Sequence, residues 1–283
     1  MSLAALEALL REVTAGRAGV LVTVAAHQGS VPRKDRPRAA FLADGRRVGT
    51  LGGGRIDGAA ADLAREAFRD APGAPRRRGL DADAPEGMLC GGSVELETEY
   101  CAPTAAARAR LEELLADPSL QPPRLLVLGA GHVGRAAARF ANEVGYRVFV
   151  LDDRAEFASE ERFPFAAGRR VGSAATAGEW PPPAPRDAVL LANRAHGLDL
   201  EALDWACRTE AGYIGMLGSR RKIDALLAEL RRRGAPVDGL MGRFHSPVGL
   251  AIGAETPEEI GLAVAAELVA FRRRTPPGGG DGD

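Results

Sequence analysis

Apolar and polar positions in the first part of the chain repeat with two different periods. Apolar residues at intervals of three and four predict amphipathic helices at 3–14, 55–70 and 104–117. Strands are predicted by a β-branched run at 19–30 and by alternation at 87–100, which is entered through a glycine-broken loop. A strand, an Asp44-Gly45 turn, a second strand and three glycines predict a hairpin over 38–54. We therefore expect an N-terminal α/β domain over residues 1–117.

Beyond residue 123, short apolar strands alternate with helices. Strands are predicted at 124–129, 147–152, 187–192 and 212–216. Helices are predicted at 132–144, 199–209, 219–233 and 257–273. Such alternation is typical of a doubly wound parallel sheet, so the predicted fold class is α/β, with a Rossmann-type domain at 124–274. A proline-bearing linker at 118–123 precedes this domain, and the glycine-rich tail at 275–283 is expected to be disordered.

Composition narrows the function classes. A length of 283 residues fits two domains, and 37 basic against 38 acidic side chains give no global field for nucleic acid or an anionic membrane. Aromatic residues make up 5% and are not interleaved with basic ones, which argues against single-stranded nucleic acid. No apolar run reaches membrane-spanning length and no signal peptide is recognisable. Three cysteines without a CxxC pair fit a reducing compartment, so we expect a cytoplasmic protein.

One glycine motif predicts a nucleotide site. Gly129, Gly131 and Gly134 form G-x-G-x-x-G between a strand and a helix, where backbone N–H groups can meet a pyrophosphate. Within this loop, His132 is a candidate donor to a ligand phosphate. Asp152 ends the next strand and is a candidate acceptor for ribose hydroxyls, which favours an NAD-like over an NADP-like ligand.

Several segments together resemble the XdhC/CoxI family of molybdenum-enzyme accessory proteins. They are "GSVPRK" (29–34), "GTLGGGRID" (49–57), "GMLCGGSVEL" (87–96), "VLGAGHVGRA" (127–136), "VFVLDDR" (148–154), "YIGMLGSRRK" (213–222) and "FHSPVGLAIGAETPEEI" (244–260). The resemblance implies a protein that binds the molybdenum cofactor in its molybdopterin form. The nucleotide motif adds the dinucleotide form of the cofactor as an alternative, and the sequence does not choose between the two. The resemblance also implies assistance to sulfuration with a cysteine desulfurase and delivery to a xanthine dehydrogenase-like hydroxylase. The chain departs from the family at Asp57, where Glu is frequent, and at 193–199, where many members read "THDH".

The candidate cofactor contacts in the first domain combine soft, polar and cationic groups. Cys90 lies beside glycines, and its thiolate suits a molybdenum or molybdenum–sulfur contact. Gln28 and Ser30 match a pterin edge, whereas Arg33 and Lys34 match its phosphate. Gly52, Gly53 and Gly54 precede a helix and either expose N–H groups to an anion or form a simple turn.

The second domain adds further candidates. Arg220 and Arg221 fall in the first turn of a helix, where cations oppose the helix dipole, so they either bind a phosphate or reach carboxylates elsewhere. His245 is a candidate ligand contact or acid–base group, but the sequence assigns it no acid partner. Thr256 and Glu259 match a capping box, which explains them without chemistry.

The predicted function is a cofactor-binding maturation factor and chaperone rather than a stand-alone catalyst. The alternative is an NAD(P)-dependent oxidoreductase, which would need a proton-transfer histidine beside the nicotinamide. A third alternative is a redox-sensing module that uses NAD as a switch. We further expect a homodimer that interacts with neither nucleic acid nor membrane.

Overall fold

The computed structural model describes residues 2–29, 36–80, 92–117 and 120–274. The chain divides into two compact units, residues 1–121 (unit 1) and residues 122–283 (unit 2). Each unit has its own sheet and its own apolar clusters.

Unit 1 is built on a five-stranded sheet in the order β3-β2-β1-β5-β4, with antiparallel pairs throughout. Its strands are β1 (Gly19–Gln28), β2 (Arg38–Leu42), β3 (Arg47–Val48), β4 (Arg76–Leu80) and β5 (Ser93–Cys101). Its helices are α1 (Ser2–Thr14), α2 (Gly54–Arg69) and α3 (Ala105–Ala116). The predicted hairpin is confirmed as β2 and β3, although its second strand has only two residues.

The central strand β1 explains how this sheet is covered. Val20, Val22 and Val24 pack in one cluster with residues of α2, whereas Leu21 packs in another with residues of α1 and α3. Because successive side chains of a strand point to opposite faces, a strand with apolar residues at consecutive positions is covered by helices on both faces. The prediction of an α/β N-terminal domain is therefore confirmed.

No element is predicted for residues 76–80, yet these residues form the edge strand β4. The three arginines of this strand pair with acids: Arg76 with Asp70, Arg77 with Glu97, and Arg78 with Glu66. A run of arginines carries no strand signal of its own, and the acids of β5 and α2 provide the partners. A charged edge strand also resists pairing with another chain.

Unit 2 contains a six-stranded parallel sheet in the order β11-β10-β9-β6-β7-β8. Its strands are β6 (Arg124–Leu128), β7 (Arg147–Asp152), β8 (Gly168–Val171), β9 (Ala188–Leu191), β10 (Tyr213–Met216) and β11 (Phe244–His245). Its helices are α4 (His132–Glu143), α5 (Ala174–Ala177), α6 (His196–Cys207), α7 (Arg220–Arg232) and α8 (Pro257–Arg274), with a 3-10 turn at Val237–Leu240. Counted within unit 2, the strand order is 3-2-1-4-5-6, which confirms the predicted Rossmann-type sheet. Strands β8 and β11 and helix α5 were not predicted.

Helix α8 crosses α4 closely, and this crossing positions the later part of the chain. A Cβ atom at Gly261 would lie 2.7 Å from the backbone of Ala136, so only glycine permits this approach. Val264 and Leu268 of α8 are buried with Ala137 of α4 in one apolar cluster. Helix α4, which begins within the nucleotide motif, is thereby packed against α8, the last helix of the described chain.

Candidate functional site

The three motif glycines have three different surroundings. Gly129 has φ 104°, and a Cβ atom there would overlap the carbonyl of Ala192. A Cβ atom on Gly134 would overlap the carbonyl of Gly129, so this glycine permits the helix to pack on the strand. At Gly131 no atom lies within 4 Å of the Cβ position. The open space is therefore at the glycine where a phosphate would approach the backbone.

The first turn of α4 is suited to an anion. The helix begins at His132 after Gly131, no side chain caps its N–H groups, and no acid lies in its first turn. Free N–H groups and the helix dipole favour negative charge at such an end. His132 is exposed at the first helical position, and its predicted role as a phosphate donor stays a prediction.

Asp152 braces this loop from the end of β7. Its Oδ2 accepts hydrogen bonds from the N–H of Ala130 at 2.7 Å and from Arg154 Nη2 at 3.1 Å, while its Oδ1 accepts from the Arg154 N–H and Nε. Four accepted bonds use the capacity of a carboxylate. The ribose role predicted for Asp152 remains a prediction, and it requires Arg154 to withdraw.

The charge state of Asp152 follows from these contacts. Burial raises the pKa of this carboxyl, but the hydrogen bonds from Arg154 and from the Ala130 N–H outweigh burial and hold the net pKa below its usual value. The carboxylate is therefore ionised at neutral pH and compensates the charge of Arg154.

Two arginines flank the same loop, and sequence reasoning missed the second of them, Arg162. The guanidinium groups of Arg154 and Arg162 lie 3.4 Å and 4.6 Å from the ring centre of Phe157. Arg162 also donates from Nη2 to the carbonyl of Ala130 at 3.3 Å, and its buried Nε has no partner among the described residues. Arg162 lies 32 residues after Ala130, so no local pattern links the two.

Of two cavities in the described chain, one lies near the nucleotide motif and the other lies in unit 1. A small pocket, with room for about one water molecule, is lined at the carboxyl ends of β6, β7 and β9 by residues that include Leu128, Asp153 and Asn193. A cavity of about 310 Å³ in unit 1 is lined by Leu21, Thr23, Pro75, Glu97, Glu99 and Arg110. None of the predicted site residues lines the larger cavity.

The triple-glycine loop of unit 1 has an unusual backbone. Gly52, Gly53 and Gly54 have φ values of 140°, 86° and 50°, in the region that favours glycine. No atom lies within 4 Å of the Cβ positions of Gly53 and Gly54. Helix α2 begins here without a side-chain cap, so the loop presents open backbone at a helix N-terminus.

Asp57 holds this loop in place. Its Oδ1 accepts from the Leu51 N–H at 2.7 Å, and its Oδ2 accepts from the Thr50 hydroxyl at 2.7 Å. Arg47 Nη1 lies 3.3 Å from the same Oδ2. Asp57, which stands where Glu is frequent in the family, therefore has a defined structural role.

The basic residues in the first turn of α7 differ in whether they have a carboxylate partner. Lys222 forms an ion pair with the buried carboxylate of Asp199, so its position is explained by a carboxylate of α6. Arg220 and Arg221 are exposed and form no ion pair within the described part of the chain. They remain available to a ligand.

His245 has the acid partner that the sequence did not assign. Its Nδ1 lies 2.7 Å from Oε1 of Glu267 on α8. Glu267 Oε2 accepts from the Tyr213 hydroxyl and from the Gly249 N–H, each at 2.7 Å. The His245 ring also stacks on Tyr213 with ring centres 4.3 Å apart. Glu267 lies in an apolar stretch of α8, so the only available signal was a charged residue on a buried helix face.

Topology brings the unit 2 candidates to one sheet edge. The glycine loop follows β6, Asp152 ends β7, Arg220 and Arg221 follow β10, and His245 ends β11. These strands are parallel, so their carboxyl ends share an edge, which is where ligands bind in such folds.

Other predicted contacts can be placed only in part. Gln28 is exposed at the end of β1. Ser30, Arg33, Lys34 and Cys90 lie outside the described residues, as does the predicted tail at 275–283. Among the residues that are described, no three His, Cys, Asp or Glu side chains are placed to hold a metal ion.

Two further predictions concern helices. The capping box is confirmed: the Glu259 N–H donates to Thr256 Oγ1 at 3.2 Å, and the Thr256 N–H donates to Glu259 Oε2 at 3.0 Å. No helix within the described ranges is both long enough and apolar enough to span a bilayer.

Both units match models of known protein families. The model of the XdhC Rossmann domain matches residues 125–268, and that of the XdhC and CoxI family matches residues 13–79. A Bacillus halodurans protein whose crystal structure is described as a xanthine dehydrogenase superposes with a TM-score of 0.78, at 23% identity, over 98% of this chain and 97% of that chain. At 23% identity, the superposition shows that the two chains share a fold and nothing beyond the fold.

Two curated relatives are each 32% identical to parts of the chain. Protein YqeB of Escherichia coli K12, described as uncharacterized, aligns over 260 residues, which are 89% of this chain and 43% of YqeB. A probable subunit of xanthine dehydrogenase from Bacillus subtilis aligns over 152 residues, which are 54% of this chain and 44% of the relative. The chain thus spans less than half the length of these relatives. Since a family model covers half of the chain and the matched segments lie in both units, the chain belongs to the XdhC and CoxI family.

Proposed function

We propose that the chain is an accessory protein that binds the molybdenum cofactor, supports its sulfuration with a cysteine desulfurase and delivers it to a xanthine dehydrogenase-like molybdenum hydroxylase. Family membership carries this proposal, because accessory proteins of molybdenum enzymes define the family. The Bacillus subtilis relative is named as a probable subunit of xanthine dehydrogenase, which agrees with such a client. The cofactor is cargo in this role, so the chain needs groups that hold it rather than groups that transform it.

The described residues fit the anionic parts of this cargo. The open space at Gly131 lies at the uncapped start of α4, and Gly53 and Gly54 are open at the uncapped start of α2. Arg220 and Arg221 add two cations without internal partners in the described chain. Backbone N–H groups and guanidinium groups are suited to phosphate oxygens. A dinucleotide form of the cofactor, or a separate NAD-like ligand, would use the glycine loop of unit 2.

Cys90 is proposed as the contact to the molybdenum–sulfur end of the cargo. This assignment rests on the sequence, since a thiolate is a soft ligand and the flanking glycines permit close approach. Cys101 and Cys207 are buried, and burial raises the pKa of their thiols to about 12 and about 11. Neither is available as a thiolate at neutral pH.

The test is retention and transfer of the cofactor by the purified chain. Wild type should retain molybdopterin at micromolar protein and activate a cofactor-free xanthine dehydrogenase-like hydroxylase. Cys90→Ala should lose transfer, and Arg220→Ala with Arg221→Ala should weaken retention. Arg231→Ala, at the far end of the same helix, is the matched control and should behave as wild type.

Two outcomes would contradict the proposal. Absence of cofactor retention by wild type would remove the accessory role. Hydride exchange on NADH with a carbonyl substrate, without cofactor retention, would favour the oxidoreductase alternative.

A further inference from the structure

We propose that unit 2 carries a general acid–base site in which His245 exchanges a proton at Nε2 with an O–H or N–H group of a ligand, and Glu267 is its positioning residue. This activity goes beyond holding a cofactor, and it does not depend on the accessory role. The site consists of His245 from β11, Glu267 from α8 and Tyr213 from β10.

The hydrogen bonds of Glu267 determine which ring nitrogen carries the proton. Burial raises the pKa of Glu267, but hydrogen bonds from His245, Tyr213 and the Gly249 N–H outweigh burial, so the pKa lies below its usual value. An ionised carboxylate can only accept, so His245 Nδ1 must donate to it. In the neutral ring, the free electron pair is then on Nε2.

The remaining contacts of the ring leave Nε2 accessible. One ring face stacks on Tyr213, and the Nδ1 edge is held by Glu267. The His245 side chain is nevertheless 25% exposed, and within the described chain its Nε2 has no hydrogen-bond partner. His245 Nε2 is not among the buried side-chain atoms that lack a partner in the described chain, so this unpartnered nitrogen is reached by solvent. Among the described residues, the titratable side chains in contact with the ring are Tyr213 from β10 and Glu267 from α8.

The position of His245 indicates which ligands can reach it. His245 is the last residue of β11, so it lies at the same carboxyl edge as the glycine loop after β6. Three inter-strand steps separate these strands, or about 14 Å. A few residues after His245, the segment that follows Gly249 exposes Leu250 and Ile252. An elongated ligand with an anion at one end and a hydroxyl or ring N–H at the other matches this arrangement.

The proton-transfer step is balanced within the site and the ligand. The ligand's O–H or N–H bond breaks, its electron pair stays on the oxygen or nitrogen, and the proton forms a bond to Nε2. The resulting imidazolium keeps its Nδ1–H on the Glu267 carboxylate, which stabilises the positive charge. Return of the proton from Nε2 restores the neutral ring.

Carbethoxylation by diethyl pyrocarbonate tests this site, because the reagent attacks an unprotonated, accessible imidazole nitrogen. The chain has four histidines, so mass spectrometry can follow each one separately. In folded wild type, His245 should react, and its rate should reach a plateau as pH rises. Glu267→Gln should lower this plateau several-fold, because the neutral amide keeps an acceptor but removes the charge that makes Nε2 nucleophilic.

Tyr213→Phe is the matched control. It removes one donor to Glu267 yet keeps an aromatic ring under His245, so the plateau should stay near that of wild type. Long-range proton–nitrogen NMR of wild type should place the neutral ring's proton on Nδ1. The proposal is overturned if His245 resists the reagent while His132 and His196 react, if both variants change the plateau equally, or if the proton resides on Nε2. Thermal unfolding of each variant verifies that it is folded.

Discussion

Asp152, the last residue of β7, accepts a 2.7 Å hydrogen bond from the N–H of Ala130, which lies between the first two glycines of the nucleotide motif. The carboxylate that ends one strand thus fixes the loop that follows the neighbouring strand. Arg154 donates to the remaining acceptor positions of the Asp152 carboxylate, so the loop and these two side chains form one hydrogen-bond network.

Replacing Asp152 should therefore destabilise unit 2. Asp152→Ala leaves the Ala130 N–H and the Arg154 guanidinium without their acceptor, and hydrogen bonds to charged groups contribute about 1.5–3 kcal/mol. Urea unfolding of wild type and variant measures the loss. Asp62→Ala, which removes an exposed acid of α2, is the control and should change stability little.

The same carboxylate predicts a pH dependence. Its pKa is below the usual value in the folded chain, so its contribution to stability is complete above the unfolded-state value of about 3.9 and is lost as pH falls through the folded-state value. Asp152→Asn has no group to titrate and should lose less stability on acidification than wild type. Equal acid sensitivity of the two proteins would show that Asp152 is not held as described.

Two of the motif glycines, Gly131 and Gly134, should respond differently to alanine. Gly131 has φ −62° and open space at its Cβ position, so Gly131→Ala should fold normally but weaken binding of a dinucleotide such as NADH or of the pterin dinucleotide. Gly134→Ala forces a side chain against the Gly129 carbonyl and should cost about 1–3 kcal/mol or more. Thermal unfolding and ligand titration by fluorescence distinguish the two effects. A destabilised Gly131→Ala would contradict the assignment of its open space to a ligand.

In unit 1, Asp57 should be needed for the triple-glycine loop. Asp57→Ala removes the acceptor of the Leu51 N–H and of the Thr50 hydroxyl and should destabilise unit 1 by about 1.5–3 kcal/mol. Asp57→Asn keeps the shape and should lose less. Hydrogen exchange at the Leu51 amide, followed by mass spectrometry, checks the mechanism, since this amide should exchange faster in Asp57→Ala only if the bond exists in wild type.

The buried thiols should be inert in the folded protein. Burial raises the pKa of Cys101 to about 12 and that of Cys207 to about 11, and the thiolate is the reactive species. At pH 8, iodoacetamide should leave both unmodified in the native chain and alkylate both after unfolding in urea. Rapid alkylation of either residue in the native chain would show that its surroundings open.

Local signals were sufficient for most helices and strands, but not for every element. The apolar runs of β1, β6 and β9 and the capping box at Thr256 are complete within a few residues, so the sequence predicts them. The strand at Arg76–Leu80 has no apolar pattern and depends on acids of β5 and α2. Its existence follows only once the sheet has formed.

For the candidate site, the same distinction holds. The glycines of the nucleotide motif are predictable because a phosphate loop needs them at fixed spacing. Arg162 and Glu267 are not, because each meets its partner across a long stretch of chain. Neither has a spacing that identifies it.

The sequence by itself determined the two-part organisation, the parallel sheet and the glycine loop, because hydrophobic periodicity and turn chemistry act between near neighbours. Only the tertiary structure decided that Asp152 accepts hydrogen bonds from the loop and Arg154, and that His245 is paired with Glu267. It also decided that Lys222 pairs with a carboxylate, whereas Arg220 and Arg221 meet none among the described residues. These relationships arise where separate strands end at one edge and where α8 packs against α4, so they depend on packing geometry that no local pattern encodes.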